Sequence, residues 1–196
     1  LQPFFNPGPI DAPDVPLALG AVGPRMLALV GECADGIHTH PSNTSPRYLR
    51  EAIVPVVNEG MLSRDPGLAQ PFIAANVLVA MGADDAGVAT ERERFRGVLA
   101  FLFSTPAYWP SLRLFGWESL GETLLQLTRE KRWQEMPSVF EDRVLDEFLV
   151  TGRFDMVAGA LRQRYIGLVD RIALPLPEDP APDPLVAAML AELGAG

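Results

Sequence analysis

One cysteine, Cys33, and two histidines, His38 and His40, are all that this 196-residue chain holds of the side chains that staple folds or build zinc frameworks. A lone thiol closes no intrachain disulfide, and a Cys/His zinc site needs more ligands than these. That cysteine usage fits a cytoplasmic location. Long apolar runs are scarce too: the stretch from Phe72 to Met81 is interrupted by Asn76 and falls short of the roughly 20 residues that cross a bilayer. Basic charge is in deficit, with 16 Lys and Arg against 25 Asp and Glu for a net charge of -9. Nucleic acid and anionic membranes both demand a basic surface, so both are argued against as partners. Leu1 to Ile10 lacks the basic start and continuous apolar core of a signal peptide. The first residue is Leu rather than Met, which fits a processed product or a piece of something longer.

What is present is a globular composition, 48% hydrophobic and 21% charged, with 19 Pro and 17 Gly to make turns. The length allows one domain of about 150 residues with an appendage. It is too short for a complete eight-fold βα barrel of about 250 residues. Residues 1–16 are too proline-dense for helix or central strand and read as an ordered loop or linker. The spacing then predicts a strand over 16–22 and a helix from Pro24, where the missing N–H of proline costs nothing. A second strand follows over 36–40, and then a helix capped by Ser45 and stopped by Gly60, with a kink or an early end at Pro55. A third strand is predicted over 70–80. After it comes a large helical excursion: a helix over 84–103, aromatic loops around Tyr108 and Trp117, and helices over 120–131 and 133–149. A helix through Tyr165 and a fourth strand over 168–174 precede a proline-rich tail, 175–196, with a short helix over 185–193.

Strands alternating with helices argue an α/β fold with a parallel sheet. Four strands are too few for a barrel that side chains fill, so the chain reads as half a barrel, a small open sheet or one member of a pair. An uncovered barrel-facing surface should expose apolar area and favour a homo-oligomer or a partner that completes the barrel.

Chemistry-bearing residues collect at two predicted strand ends. Gly20, Ala21, Val22, Gly23, Pro24 and Arg25 form a small-residue turn into a helix, where free N–H groups favour an anion such as phosphate. An ordinary βα turn has the same spacing. His38 and His40 are two apart on the predicted second strand, so both rings face one side, at the end where α/β proteins place their sites. Three roles stand for them: a metal dyad, for which no third ligand lies nearby, a general acid or ligand contact, and a structural cap. Glu32 and Asp35 read as a polar helix end, and Cys33 as an inert thiol. The aromatic segments 104–109 and 115–117 either line a flat conjugated ligand or pack the excursion.

Taken together, Pro3 to Ile10, Ala21-Val22-Gly23-Pro24-Arg25-Met26, Gly31-Glu32-Cys33-Ala34-Asp35-Gly36 and His38-Thr39-His40-Pro41 resemble the luciferase-like monooxygenase superfamily, in its branch that uses the deazaflavin coenzyme F420. Ser104 to Tyr108, Leu114-Phe115-Gly116-Trp117 and Gly167 to Arg171 resemble that branch in the same order. Leu102 stands where the branch has Tyr, and Phe115 where it has His. The resemblance implies a (β/α)8 barrel of which residues 1–174 correspond to the C-terminal half, about four βα units. It also implies hydride transfer with a small-molecule substrate, using the deazaflavin or, alternatively, FMN. The Gly20–Arg25 turn would meet the cofactor phosphate, and His38 and His40 would face the cofactor or substrate edge. No catalytic residue carries over from the missing half. The alternative is an inactive half-barrel that self-associates or completes a partner.

Overall fold

In the computed structural model, residues 15–177, 179 and 181–194 are described. The expected loop over 1–16 therefore lies almost wholly outside the described residues. Four short parallel strands form one sheet in the order β1 (Ala18–Gly20), β2 (Gly36–His38), β3 (Phe72–Asn76) and β6 (Arg171–Ala173). Helix α1 (Pro24–Cys33) connects β1 to β2. The connection from β2 to β3 runs through α2 (Pro46–Tyr48), a π-helical turn at Leu49–Ile53 and α3 (Val54–Met61). The expected kink is that π turn: Pro55 has no N–H to give and its ring crowds the preceding turn, so the spacing widens just before it.

Alternation along the strands sorts the side chains by face. Leu19, Ile37, Ile73, Ala75 and Ile172 pack with Leu27, Val30, Ile53 and Val57 of the covering helices. Gly20, Gly36, His38, Phe72, Ala74, Asn76, Arg171 and Ala173 take the opposite, barrel-facing side. Its largest apolar group is Phe72, and the Arg171 guanidinium lies 3.9 Å from that ring's centre. Phe72, Ala74 and Ala173 are the apolar groups of this face, set among glycines and the polar His38, Asn76 and Arg171.

Glycine sets the packing of α1 on α3. A Cβ on Gly31 would sit 2.0 Å from the Val57 carbonyl oxygen, and one on Gly60 would sit 2.0 Å from that of Ala28. Gly60 is therefore a contact point inside α3, not the stop expected of it. The helix runs one residue further, to Met61.

The predicted third strand is really two. At Val77 the chain leaves the first sheet and continues as β4 (Leu78–Gly82), which pairs in parallel with β5 (Leu149–Arg153). β4 is buried along its whole length because it divides two cores. Val77, Val79 and Met81 face the first core, and Leu78 and Ala80 face a second one built by the excursion. This second core collects Phe95, Leu99 and Phe103 of α4 (Asp85–Phe103), Leu112 of α5 (Trp109–Phe115), Leu124 of α6 (Glu118–Arg129) and Phe148 of α7 (Asp142–Phe148). Where one helix was expected over 133–149, Pro137 leaves a 3-10 segment, Trp133–Val139, followed by α7 and then strand β5.

The excursion closes where it began. Asp170 N–H donates to the Ile73 carbonyl at 2.9 Å, and Ile73 N–H donates to the Asp170 carboxylate at 2.7 Å. Helix α8 (Phe154–Tyr165) packs against β5 and β4 and sends Val157 and Leu161 into the first core, and α9 (Asp183–Gly194) packs on α8 with Val186 and Met189 in the same core.

Candidate functional site

The two predicted clusters meet at the C-terminal edge of the first sheet. Gly20 and His38 are register partners on β1 and β2, so the turn after one strand and the loop after the other are neighbours. Gly23 is the N-cap of α1 but offers no side chain to its N–H groups, and no acidic residue occupies the first turn. The N–H groups of Arg25 and Met26 lack intrahelical acceptors by helix geometry. Arg25 is exposed and, among the described residues, engages no carboxylate. Cβ atoms placed on Gly20 and Gly23 would meet nothing within 4 Å. Neither glycine is demanded by contacts within the described chain, so the space beside both is open to a ligand. Asp35, by contrast, does structural work, accepting from the Leu17 N–H at 2.7 Å.

The histidines do not form a strand pair. β2 ends at His38, which is exposed and meets the Phe72 ring edge-on at 6.4 Å between centroids. His40 lies beyond the strand because Pro41 opens a 3-10 turn, Pro41–Asn43, for which His40 is the N-cap. Its Nδ1 accepts from the Ser42 N–H at 3.3 Å and pairs with the Ser42 hydroxyl at 2.9 Å. Accepting at Nδ1 leaves the proton of the neutral ring on Nε2. Burial lowers the His40 pKa below the usual value.

Beneath these loops is a buried polar layer. The Thr39 and Thr44 hydroxyls are 2.9 Å apart, and Thr44 also donates to the His40 carbonyl at 2.8 Å. Asn76 at the end of β3 donates from its amide nitrogen to the Thr39 carbonyl at 2.5 Å and from its N–H to the Thr39 hydroxyl at 3.1 Å. Asn43 accepts from the His40 N–H at 2.8 Å and donates to the Ala21 carbonyl at 3.3 Å. Sequence reasoning missed these residues as site components, although the Pro41-Ser42-Asn43 run after His40 carries the capping signal. The excursion supplies the rest. Tyr108 lies flat against His40, ring centroids 4.4 Å apart and planes 2° from parallel. Phe115 stacks on Trp117 at 4.6 Å, with the Arg47 guanidinium 5.2 Å from its ring centre.

Among the described residues no His, Cys, Asp and Glu cluster could hold a metal ion, and no helix is long and apolar enough to cross a membrane. A cavity of about 830 Å³ lies elsewhere, between β4, α4 and the Pro175, Leu176, Pro182 and Leu185 side chains, and none of the predicted site residues line it.

A small-residue turn at one strand end beside an aromatic-backed histidine at the next, on a parallel half-barrel, lies where (β/α)8 enzymes carry their sites, at the C-terminal ends of the strands. The profile of the luciferase-like monooxygenase family matches residues 2–171, and the chain belongs to that family. Rv1360, an uncharacterised protein of Mycobacterium tuberculosis H37Rv, is 38% identical over 172 residues, covering 88% of this chain and 50% of the relative. Mb1395 of Mycobacterium bovis matches to the same extent. The chain thus spans about half the length of the curated relatives it matches. Among solved structures, the coenzyme F420-dependent tetrahydromethanopterin reductase of Methanopyrus kandleri superposes with a TM-score of 0.67 at 21% identity, over 91% of this chain and 49% of that one. An F420-dependent secondary alcohol dehydrogenase, in complex with an F420-acetone adduct, gives 0.54 at 16%, over 82% and 43%. EDTA monooxygenase of Chelativorans sp. BNC1 gives 0.57 at 12%, over 91% and 44%. These similarities establish a shared fold.

Proposed function

We propose that this chain carries the phosphate-holding side of a cofactor site in an oxidoreductase that moves a hydride to or from a small-molecule substrate. The deazaflavin coenzyme F420 is the favoured cofactor and FMN the alternative. Family membership supports the reaction class, and the F420-dependent enzymes among the structural neighbours support the cofactor. One observation carries the reading: the uncapped, acid-free N-terminus of α1 opens beside glycines with free space, one strand away from His38.

The residues fit a phosphate-bearing ligand. Gly20, Ala21, Val22 and Gly23 let it approach the backbone, Pro24 starts the helix, the first-turn N–H groups donate to it and Arg25 adds charge. His38 and His40 face the ring or substrate edge, His40 as an Nε2–H donor held flat by Tyr108. When bound, the coenzyme ring supplies the hydride chemistry, while these residues bind and orient it.

A second reading is favoured by the edges of β1 and β6, which pair with no further strand among the described residues: a half-barrel that self-associates or completes a partner. Fluorescence titration of the purified chain with F420 and with FMN tests the first reading. Saturable binding of either supports it. No saturable binding by a folded, monodisperse sample overturns it for this chain, and the molar mass of that sample in solution then decides the second.

A further inference from the structure

Asn43 is a short side chain with two jobs. It is 2% exposed, and both ends of its amide are spent on the main chain of different loops. Its oxygen accepts from the His40 N–H at 2.8 Å, which closes the Pro41–Asn43 turn and sets the His40 backbone. Its nitrogen donates to the Ala21 carbonyl at 3.3 Å, 22 residues away, in the middle of the Gly20–Arg25 turn. Ala21 itself is 3% exposed, so its carbonyl is shielded from water and gains from a protein donor. The ladder between β1 and β2 ends at Gly20 and His38. Past that point, among the described residues, the Asn43 amide is the hydrogen bond that joins the two loops.

The chemistry of the side chain suits this role. A carboxamide accepts at one atom and donates at the next, so it satisfies an N–H and a carbonyl at once. Aspartate keeps only the acceptor. Leucine, of similar size, keeps neither.

We propose that Asn43 is a positioning residue that clamps the Gly20–Arg25 turn to the His40 turn, so that the anion-binding backbone and the His40–Tyr108 stack are set relative to one another before a ligand arrives. The functional part of this inference rests on the reading of that turn as phosphate-holding. The mechanical part does not. Preorganisation of this kind raises affinity by removing the ordering cost from the binding step.

Residue-resolved amide hydrogen exchange on the ligand-free chain tests the clamp. Asn43→Asp, which keeps the bond to the His40 N–H and loses the one to Ala21, should speed exchange of the Leu27 amide, whose bond to the Gly23 carbonyl closes the Gly20–Arg25 turn onto α1, by about tenfold or more while residues 40–44 stay within about twofold of wild type. Asn43→Leu should speed both. Leu27 exchange unchanged in Asn43→Asp overturns the clamp. So does faster exchange spread evenly across the domain, or failure of that variant to fold, because either assigns Asn43 to general stability. Titration with F420 and FMN is the second arm. Wild-type binding that weakens about tenfold in Asn43→Asp supports preorganisation, and equal binding by both proteins overturns it. If wild type binds neither cofactor, the phosphate reading falls and the exchange data still decide the clamp.

Discussion

The His40 and Tyr108 rings lie 4.4 Å apart and 2° from parallel, although one belongs to the sheet edge and the other to the helical excursion. Stacked aromatic pairs are worth about 0.5–1.5 kcal/mol beyond their buried area. Tyr108→Ala should cost about that much in unfolding free energy, and Tyr108→Phe should cost little. Chemical denaturation of the two variants checks the difference.

The lowered pKa of His40 has a consequence for pH. In the unfolded chain the ring returns to its ordinary value and takes up a proton first, so the stability contributed by the neutral folded ring is present above pH ~6.5 and is lost as pH falls through the folded value. Unfolding midpoints measured between pH 7.5 and 5 should fall more steeply for wild type than for His40→Gln.

Capping and ligand binding compete at Gly23. Gly23→Asp has room for its side chain and gives α1 a preferred N-cap, so it should raise stability by a few tenths of a kcal/mol. The same carboxylate occupies the N–H groups and repels a phosphate, so cofactor affinity should drop at least tenfold. A thermal melt and a fluorescence titration on one sample read both effects.

At the α1–α3 contact no such room exists. A Cβ on Gly60 would press on the Ala28 carbonyl at 2.0 Å, so Gly60→Ala should destabilise by about 1–3 kcal/mol or more by forcing the helices apart. Gly159, where an added Cβ meets nothing within 4 Å, is the control: Gly159→Ala in α8 should be neutral or stabilising in the same urea titration.

Arg96 ties the excursion together, donating to the Phe140 carbonyl, to Asp142 and to Glu93. Its hydrogen bonds hold the Asp142 and Glu93 carboxyls below their usual range. The stability these carboxylates add is present above about pH 4 and is lost as pH falls through their folded values. Arg96→Met should therefore flatten the acid limb of the stability profile, measured from pH 5 to 2.

The sheet and the site were unequally legible in the sequence. Helix α1 was readable because Pro24 at its first position and the following Ala34-Asp35-Gly36 turn are local signals. The handover at Val77 was not, because residues 77–82 resume the apolar run and the one polar interruption, Asn76, does not tell that one partner strand replaces another. β5 was hidden for a related reason. Its Thr151-Gly152 pair looks like a turn, and only pairing with β4, some 70 residues earlier, makes it a strand. The proline after His40 announced the end of β2, yet the stacking partner of that histidine comes from the far side of a helix whose docking no local pattern encodes.

The reciprocal bonds between Ile73 and Asp170 bring together residues 97 apart in sequence. The chain between them departs from and returns to one point and feeds both cores, β4 and α8 the first and the α4–α7 excursion the second. The entropic cost of closing such a loop grows only with the logarithm of its length. Evolution can therefore lengthen, trim or exchange the excursion as a cassette while the strands keep their register. In folding, the same geometry makes the β3–β6 pairing a distant contact that waits for the cassette to collapse.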